Sequence, residues 1–292
     1  MRSTLKSHKQ ALAEEAKQKA IDVRMDAGLD LKSPVCIYAL CAKLGIKVRF
    51  VDISMEGIYL RDAEPKILVS ALRPLVRRTF TCGHELGHHV FGHGSTIDAL
   101  IEDLEGERAF QPEEFLADSF AGFLLMPIIG VRKAFASRGW VAESATPEQV
   151  FTVACEFSVG YETLTIHMAY ALKMITPLRA NILLKTKPKA IREQILSQST
   201  PFPLIIADAQ WVPPTIDVEV GSQLLLPSNA QPASDLIKVQ SAHPKGRLFT
   251  AVRPGIVRVH CPGAEWAVFV RVSPYQFVGL SEYRHFEDLD DE

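Results

Sequence analysis

The spacing of apolar and polar residues changes along the chain. As far as about residue 196, apolar residues recur every three or four positions in several segments, which is typical of helices with one buried face. Beyond that point, short apolar segments with a period of two are separated by Pro and Gly. In WAVFVRV, for example, one face carries Trp266, Val268, Val270 and Val272. The pattern therefore predicts an α+β protein whose C-terminal part is a small, mostly-β domain.

The first part of the chain is predicted to contain two helices and three short strands. An amphipathic helix is expected over 3–26, and its apolar side is formed by Leu5, Leu12, Ala16, Ala20 and Val23. The lysines on its other side are better explained as a solvated face than as a nucleic-acid contact. A second helix is expected from Ser33 to Leu44, with Pro34 in its first turn. Strands are expected at Lys47–Val51, Gly57–Arg61 and Lys66–Ser70.

Residues 143–176 are predicted to form a helical extension. Helices at Pro147–Glu156 and Gly160–Met174 flank a short turn, and this arrangement resembles a helix-turn-helix. A helix that reads DNA offers Arg, Lys, Asn or Gln to base edges, but GYETLTIHMAYALKM has one lysine and none of the other three. We therefore expect the pair to pack internally or to dock a protein partner. Residues 177–203, first basic and then polar, are predicted to be a linker with one short helix.

Composition limits the kind of protein. A chain of 292 residues is long enough for two domains, and its net charge of -2 argues against a general polyanion-binding protein. The N-terminal stretch has no signal-peptide core, and no apolar run is long enough to span a bilayer. The five cysteines are odd in number and scattered, which does not favour a disulfide framework. We expect a cytoplasmic protein without a membrane partner.

The stretch TFTCGHELGHHVFGH carries the clearest chemistry in the sequence. In a helix, His84 and His88 lie four residues apart on one face, so both imidazoles can bind the same ion. Glu85 lies about a hundred degrees further round the helix axis, beside the ion, where it can take a proton from water. The pattern H-E-x-x-H on a helix is typical of zinc hydrolases.

The residues around this motif favour a helix. Thr79 or Thr81 is predicted to cap its start, and Gly92 and Gly94, which flank His93, are predicted to end it. Apolar residues recur at roughly helical spacing at Phe80, Leu86, Val90 and Phe91. The alternative is a buried helix whose histidines are satisfied by hydrogen bonds alone.

A zinc site of this kind needs a third protein ligand from another part of the chain. The metzincin spacing requires a glycine and a histidine after the motif, but those positions hold Phe91 and Gly94. A gluzincin instead takes a glutamate from a second helix, followed four residues later by an acid or amide that orients a ligand histidine. In EEFLADSFAGFLLMP, Glu114 and Asp118 have that separation, and Pro127 ends the helix. The alternative is that the two acids form a solvated stripe.

These two motifs resemble the ImmA/IrrE family of bacterial zinc metallopeptidases. The run RRTFTCGHELGHHVFGH followed by EEFLADSFAGFLLMP carries the resemblance, and IYALCAKLGIKVRF, GIYL and KILVSA extend it over residues 34–175. The resemblance implies one Zn²⁺ per chain on His84, His88 and Glu114, catalysis by Glu85 and an orienting role for Asp118. Ser70 departs from the family, in which an asparagine is expected at this position.

The resemblance and the sequence pattern outside it together predict the domain organisation. A zincin-like metallopeptidase domain is expected at 31–142, after an N-terminal helix at 1–30 and before the helical extension. After the linker, residues 204–281 are predicted to form an Ig-like sandwich, with a GAF-like sensor as the alternative. Residues 282–292 form an acidic tail.

Four further features are candidates for the site. An edge strand beside the motif helix can hold an extended peptide by main-chain hydrogen bonds, and we expect this role for Ile67, Leu68, Val69 and Ser70. Tyr161 and His167 are candidates for stabilising the oxyanion of the transition state. The acidic loop containing Asp98, Glu102, Asp103, Glu105 and Glu107 is expected at the rim of the cleft. Cys82, two residues before His84, is expected to point away from it within the helix.

The family resemblance implies a particular substrate, namely a helix-turn-helix transcriptional repressor. Its cleavage would release genes for stress response, mobile elements or phage defence. We expect activity to depend on a nucleic-acid or small-molecule trigger, with the C-terminal domain as a sensor or substrate dock. Two alternatives stay open: a non-proteolytic antirepressor or adaptor with structural zinc, and a zinc hydrolase that acts on small amides.

Overall fold

The computed structural model describes residues 2–94, 96–98 and 110–286. The chain divides into two compact units. The first unit comprises Met1–Val131 with Val278–Ser281, and the second comprises Arg132–Phe277 with Glu282–Glu292. The fold combines helices and strands throughout, and its C-terminal region is rich in sheet.

The described residues contain the following elements. The helices are α1 (Arg2–Asp26), α2 (Ile37–Lys43), α3 (Leu75–Val90), α4 (Pro112–Leu125), α5 (Ile128–Ala136), α6 (Pro147–Glu156), α7 (Tyr161–Tyr170), α8 (Pro177–Leu183) and α9 (Pro188–Leu196). The strands are β1 (Lys47–Val51), β2 (Gly57–Leu60), β3 (Lys66–Ser70), β4 (Thr96–Asp98), β5 (Leu204–Ile206), β6 (Thr215–Glu219), β7 (Gln223–Leu226), β8 (Gln231–Pro232), β9 (Ile237–His243), β10 (Gly246–Ala251), β11 (Gly255–His260), β12 (Ala267–Ser273) and β13 (Gly279–Leu280). Among the described residues, no single helix is long and apolar enough to cross a membrane, although α4 and α5, joined at a bend of 40°, reach that length and composition together.

The first unit is built on one sheet with the strand order β13-β1-β3-β2-β4. Strand β3 pairs in parallel with β1 over its full length and antiparallel with β2 on its other side. The expectation that Ile67–Ser70 is an edge strand is therefore wrong, because both sides of this strand already carry hydrogen-bond partners. The local sequence pattern gives the strand but not its place in the sheet. On the β2 side, the outermost described strand is β4.

Ser70, the departure from the family pattern, has a structural role at the end of β3. It is fully buried, and its hydroxyl donates to the carbonyl of Ile53 at 2.6 Å. The same oxygen accepts from the backbone N–H of Leu72 at 3.3 Å. The side chain thus holds the turn that leads into α3.

The helix predicted over 3–26 is confirmed as α1, and it packs along α4. Leu12, Ala16, Ala20 and Val23 are buried on its apolar side. Arg24 is also buried, at 1% exposure, and its guanidinium donates to the carbonyls of Asp30, Ser33 and Leu124. Burial lowers the pKa of Arg24 to about 10, so the side chain stays charged at neutral pH. Arg24 therefore ties α1 to the C-terminal end of α4, where a cation is favourable.

Two predicted helix starts differ from the structure. The second helix begins at Ile37, so Pro34 lies before it and not in its first turn. The motif helix α3 begins at Leu75 after Pro74, which places Thr79 and Thr81 inside the helix and not at its cap. The first turn of α3, LVRR, lacks an apolar period, and Arg78 holds it by donating to the carbonyl of Ala71 at 2.6 Å.

The second unit contains the C-terminal part of α5, the helices α6 to α9 and two four-stranded sheets. Helix α6 has the predicted bounds, and the Thr146 side chain caps it in a capping box with Gln149. Helix α7 ends at Tyr170, earlier than predicted, and the predicted linker holds two helices rather than one. The resemblance of α6 and α7 to a helix-turn-helix stays a prediction.

The two sheets have the strand orders β5-β7-β10-β9 and β6-β12-β11-β8. These orders confirm a sheet-rich C-terminal region, and the Ig-like sandwich stays a prediction. In β12, Val268, Val270 and Val272 are buried while Phe269 is exposed, which confirms the predicted alternation.

Candidate metal centre

Helices α3 and α4 approach each other closely because small residues face one another. A Cβ atom added at Gly87 would lie 2.9 Å from Cα of Ala117, and one added at Gly83 would lie 3.4 Å from Cβ of Ala121. Gly83 and Gly87 are four residues apart on α3, as are Ala117 and Ala121 on α4, so each pair shares a helix face. Because the two glycines of α3 have no side chains, the backbones of α3 and α4 can approach each other closely. Side chains of α4 can therefore reach the histidines of α3.

His84, His88 and Glu114 form a compact cluster at this crossing. Nε2 of His84 lies 3.0 Å from Nε2 of His88 and 3.3 Å from Oε2 of Glu114, and Nε2 of His88 lies 3.5 Å from Oε1 of Glu114. Among the described residues, this is the group whose ligand atoms all lie close enough to hold one ion, within 4.8 Å of one another. Bonds of 2.0–2.1 Å at tetrahedral angles put zinc ligands about 3.3 Å apart. Two imidazole nitrogens and a carboxylate oxygen at these separations fit a zinc ion.

The cluster favours the protonation states that metal binding requires. The hydrogen bond with His84 lowers the pKa of Glu114, although burial of the carboxyl acts in the opposite direction. Glu114 is therefore an ionised carboxylate at neutral pH. On the far side of His84, Nδ1 lies 2.8 Å from Oδ1 of Asp118. This contact places the imidazole proton on Nδ1 and leaves Nε2 as a ligand.

Glu85 is completely buried beside the cluster, between α3 and the start of β2. A Cβ atom at Gly57 would lie 3.0 Å from Oε1 of Glu85 and 2.5 Å from Cγ2 of Thr81. Gly57 is therefore required for the close approach of β2 to this helix face. Sequence reasoning did not single out Gly57, although its position at the start of GIYL was the available signal.

Cys82 is directed toward α2. Its Sγ lies 3.8 Å from Sγ of Cys41, and both residues are fully buried. Burial raises the pKa of the Cys82 thiol well above its usual value, and its proximity to Cys41 acts in the same direction. Cys82 is thus a protonated thiol packed between helices, as its position in the helix indicated.

The remaining predicted site residues belong to other elements of the chain. Tyr161 and His167 are buried on α7 in the second unit, and the Tyr161 hydroxyl donates to the carbonyl of Leu183 at 2.8 Å. Burial raises the pKa of Tyr161 to about 12. Their role in oxyanion stabilisation stays a prediction. Of the acidic loop, Asp98 forms the end of β4, and the acidic residues from 102 to 107 lie outside the described residues.

A helical H-E-x-x-H motif, together with a glutamate from a second helix, is typical of one class of metal-dependent hydrolases. Residues 41–168 match the family model of the IrrE N-terminal-like domain, Peptidase_M78, which spans both helices of the cluster. This region is therefore an IrrE N-terminal-like domain, and the match supports the resemblance of the two motifs to the ImmA/IrrE family. No curated protein sequence matches the chain.

Proposed function

We propose that the protein is a zinc-dependent endopeptidase, with one Zn²⁺ per chain held by His84, His88 and Glu114. The observation that carries the proposal is the convergence of these three ligand atoms from two helices, with a buried glutamate next to one of them in sequence. The match to a peptidase family model supports peptide bonds as the substrate class. A purely structural site would have no need of Glu85 beside it.

Each residue of the site has a distinct task in the proposed reaction. A bound zinc ion would polarise the scissile carbonyl and lower the pKa of water towards about 7. Glu85 accepts a proton from the attacking water, whose oxygen bonds to the carbonyl carbon. The C–N bond then breaks, and Glu85 delivers the proton to the leaving amine. Asp118 holds His84 in the required tautomer throughout.

The substrate that we propose is a helix-turn-helix transcriptional repressor, cleaved in response to a stress, DNA-damage or phage-related signal. Since β3 is paired on both sides, we propose that an extended segment of the substrate binds along the outer edge of β4. Of the strands that the structure describes, β4 is the last one on the β2 side of the sheet. Main-chain hydrogen bonds along a sheet edge hold peptides without requiring a particular side-chain sequence.

Regulation is proposed to involve the sheet-rich C-terminal region. A peptidase without restraint would damage its own cell, and the two four-stranded sheets follow the metal-binding region in the chain. We assign to them the sensing of a nucleic-acid or small-molecule trigger, or the docking of the substrate. A chain that lacks residues 204–277 keeps β13 for the sheet of the first unit, and it should keep its zinc while its selectivity or its dependence on the trigger changes.

The experiment that tests the function compares the protein with its Glu85→Gln variant. Each is incubated, in the presence of zinc, with a helix-turn-helix repressor encoded beside its gene, and the products are analysed by intact mass spectrometry. We expect one defined pair of fragments with the wild-type chain only, at equal zinc content in both proteins. Equal binding of the repressor by both chains without cleavage would instead support the alternative, a non-proteolytic antirepressor or adaptor.

A further inference from the structure

We propose that His93 is a positioning residue that orients the metal ligand His88. The inference deepens the proposed metal site and rests on it. Nδ1 of His93 lies 2.9 Å from Nδ1 of His88, on the side of the His88 ring away from the cluster. His88 is completely buried, so a partner for this nitrogen must come from the protein.

The end of helix α3 explains how a residue five positions later returns to His88. Gly92 adopts a left-handed conformation with φ of 71°, and its N–H donates to the carbonyl of His89 at 3.1 Å. The N–H of His93 donates to the carbonyl of His88 at 2.9 Å. These two bonds define a Schellman motif, in which the corresponding two side chains commonly make an apolar contact. In this chain, two imidazoles occupy those positions.

The protons of the two rings follow from the geometry. Nε2 of His88 faces His84 and Glu114, so as a metal ligand it must carry a lone pair and no proton. The neutral ring of His88 then has its proton on Nδ1 and must donate it. The acceptor is the unprotonated Nδ1 of His93, whose own proton is on Nε2. Asp118 is thus an outer partner of the ligand His84, and His93 is an outer partner of the ligand His88.

Several contacts fix the turn that carries His93. The ring of Phe91 stacks on the ring of His93, with centroids 5.7 Å apart, and packs edge-on against Phe120 of α4. The guanidinium of Arg61 donates to the carbonyl of Gly92 at 3.0 Å. Its positive charge near the C-terminal end of α3 also stabilises the helix. The imidazole of His93 is thereby held in place before any ion binds.

A structural role alone would not require a histidine here. Both bonds of the Schellman motif use backbone atoms of residues 92 and 93, so any side chain at position 93 preserves the helix end. The imidazole adds one specific interaction, an acceptor for the Nδ1 proton of His88. Asparagine can supply an acceptor at a similar place through its Oδ1 atom, whereas alanine cannot.

The test measures the zinc dissociation constant of the full chain by competition with a chromophoric chelator, together with the melting temperature of the zinc-free protein. We expect His93→Ala to bind zinc about 10- to 100-fold more weakly, as other losses of an outer partner do. Its zinc-free melting temperature should fall by a few degrees, because the buried Nδ1 of His88 loses its partner, while a single cooperative transition shows that the chain still folds. His93→Asn should recover most of the affinity. His89→Asn is the matched control, because His89 contacts Tyr59 and not the cluster, and it should bind zinc as the wild-type chain does.

The possible outcomes separate this inference from the proposed function. If the wild-type chain binds zinc and His93→Ala binds it equally well, the positioning role is wrong while the metal site stands. A loss of affinity in His93→Ala that His93→Asn does not recover would also overturn the role. A wild-type chain that binds no zinc would overturn both.

Discussion

Nδ1 of His84 lies 2.8 Å from Oδ1 of Asp118, while Nε2 of the same ring lies 3.3 Å from Oε2 of Glu114. The two acids are one turn apart on α4, so a single helix contacts both nitrogens of one imidazole. Glu114 is thus a candidate metal ligand. Asp118 would hold the proton of His84 on Nδ1, so that Nε2 is the nitrogen available to bind a metal ion.

The contact between His84 and Asp118 predicts the effect of removing the outer carboxylate. Asp118→Ala should weaken zinc binding by about 10- to 100-fold, because the Nδ1 proton of His84 loses its acceptor. Asp118→Asn, which keeps an acceptor without the charge, should fall between alanine and the wild-type chain. Chelator competition measures the affinities, and wild-type affinity in the alanine variant would exclude this role.

The close helix crossing predicts that Gly87→Ala damages both the fold and the site. The added methyl group would lie 2.9 Å from the backbone of Ala117, so α3 and α4 must separate. Urea unfolding should show a loss of about 1–3 kcal/mol in the free energy of unfolding, typical of overpacking, and zinc affinity should fall. Gly94→Ala is the control, since no atom of the described residues lies within 4 Å of its added Cβ. If Gly87→Ala had the stability and zinc affinity of the wild-type chain, the side chain at position 87 would not determine the distance between α3 and α4.

The narrow space between β2 and α3 predicts that Gly57→Ala impairs catalysis but not metal binding. In Gly57→Ala, the added methyl group meets Thr81 and Oε1 of Glu85, so the carboxylate that we propose as the base is displaced. A displacement of about 1 Å commonly costs about 100-fold in rate, and we expect a fall in kcat of this order with zinc content unchanged. Gly57→Ala combined with Thr81→Ala should recover part of the rate, because the closest contact is then removed. Equal kcat values in the single variant and the wild-type chain would contradict the assigned position of Glu85.

The carboxylate of Asp217 predicts the acid stability of the second unit. Arg271 donates two bonds of 2.6 Å to it, and Arg284 and His285 lie within 3.4 Å and 3.2 Å. Burial alone would raise the pKa of Asp217, but the hydrogen bond with His285 and the charges of Arg284 and Arg271 lower it well below its usual range.

A depressed carboxyl pKa contributes stability above the unfolded value of about 3.9, and this contribution is lost as pH falls towards the folded value. We expect the melting temperature to fall below about pH 4. Asp217→Asn should be less stable by about 3 kcal/mol at pH 7, because it leaves the arginines without their anion, and its stability should change less over the acid range. Identical pH profiles for the two chains would contradict this assignment.

Local sequence patterns were sufficient to predict those features of the structure that depend only on residues close together in the chain. Thr146 and Pro147 define the start of α6 through a capping box and a proline at the first helical position. Val268, Val270 and Val272 fall on the buried face of β12 because side chains alternate along a strand. The four-residue spacing of His84 and His88 likewise places both rings together, whatever the rest of the fold.

Features that depend on distant parts of the chain were not accessible in this way. The central place of β3 in its sheet is set by pairing with β1 and β2, and no residue of Lys66–Ser70 indicates those partners. The burial of Arg24 depends on carbonyl groups as distant in sequence as Leu124. The role of His93 requires the left-handed turn at Gly92, which the sequence indicated only as a helix end.

The most direct test of the metal centre counts zinc ions per chain, by plasma mass spectrometry after exhaustive dialysis. It compares the wild-type protein with Glu114→Ala and Glu113→Ala, in which neighbouring glutamates are removed from the same turn of α4. Glu113 is exposed, whereas Glu114 reaches both histidines. We expect about one Zn²⁺ per chain in the wild-type protein and in Glu113→Ala, and little or none in Glu114→Ala. Zinc retained equally by all three chains, or absent from the wild-type chain, would contradict the proposed centre.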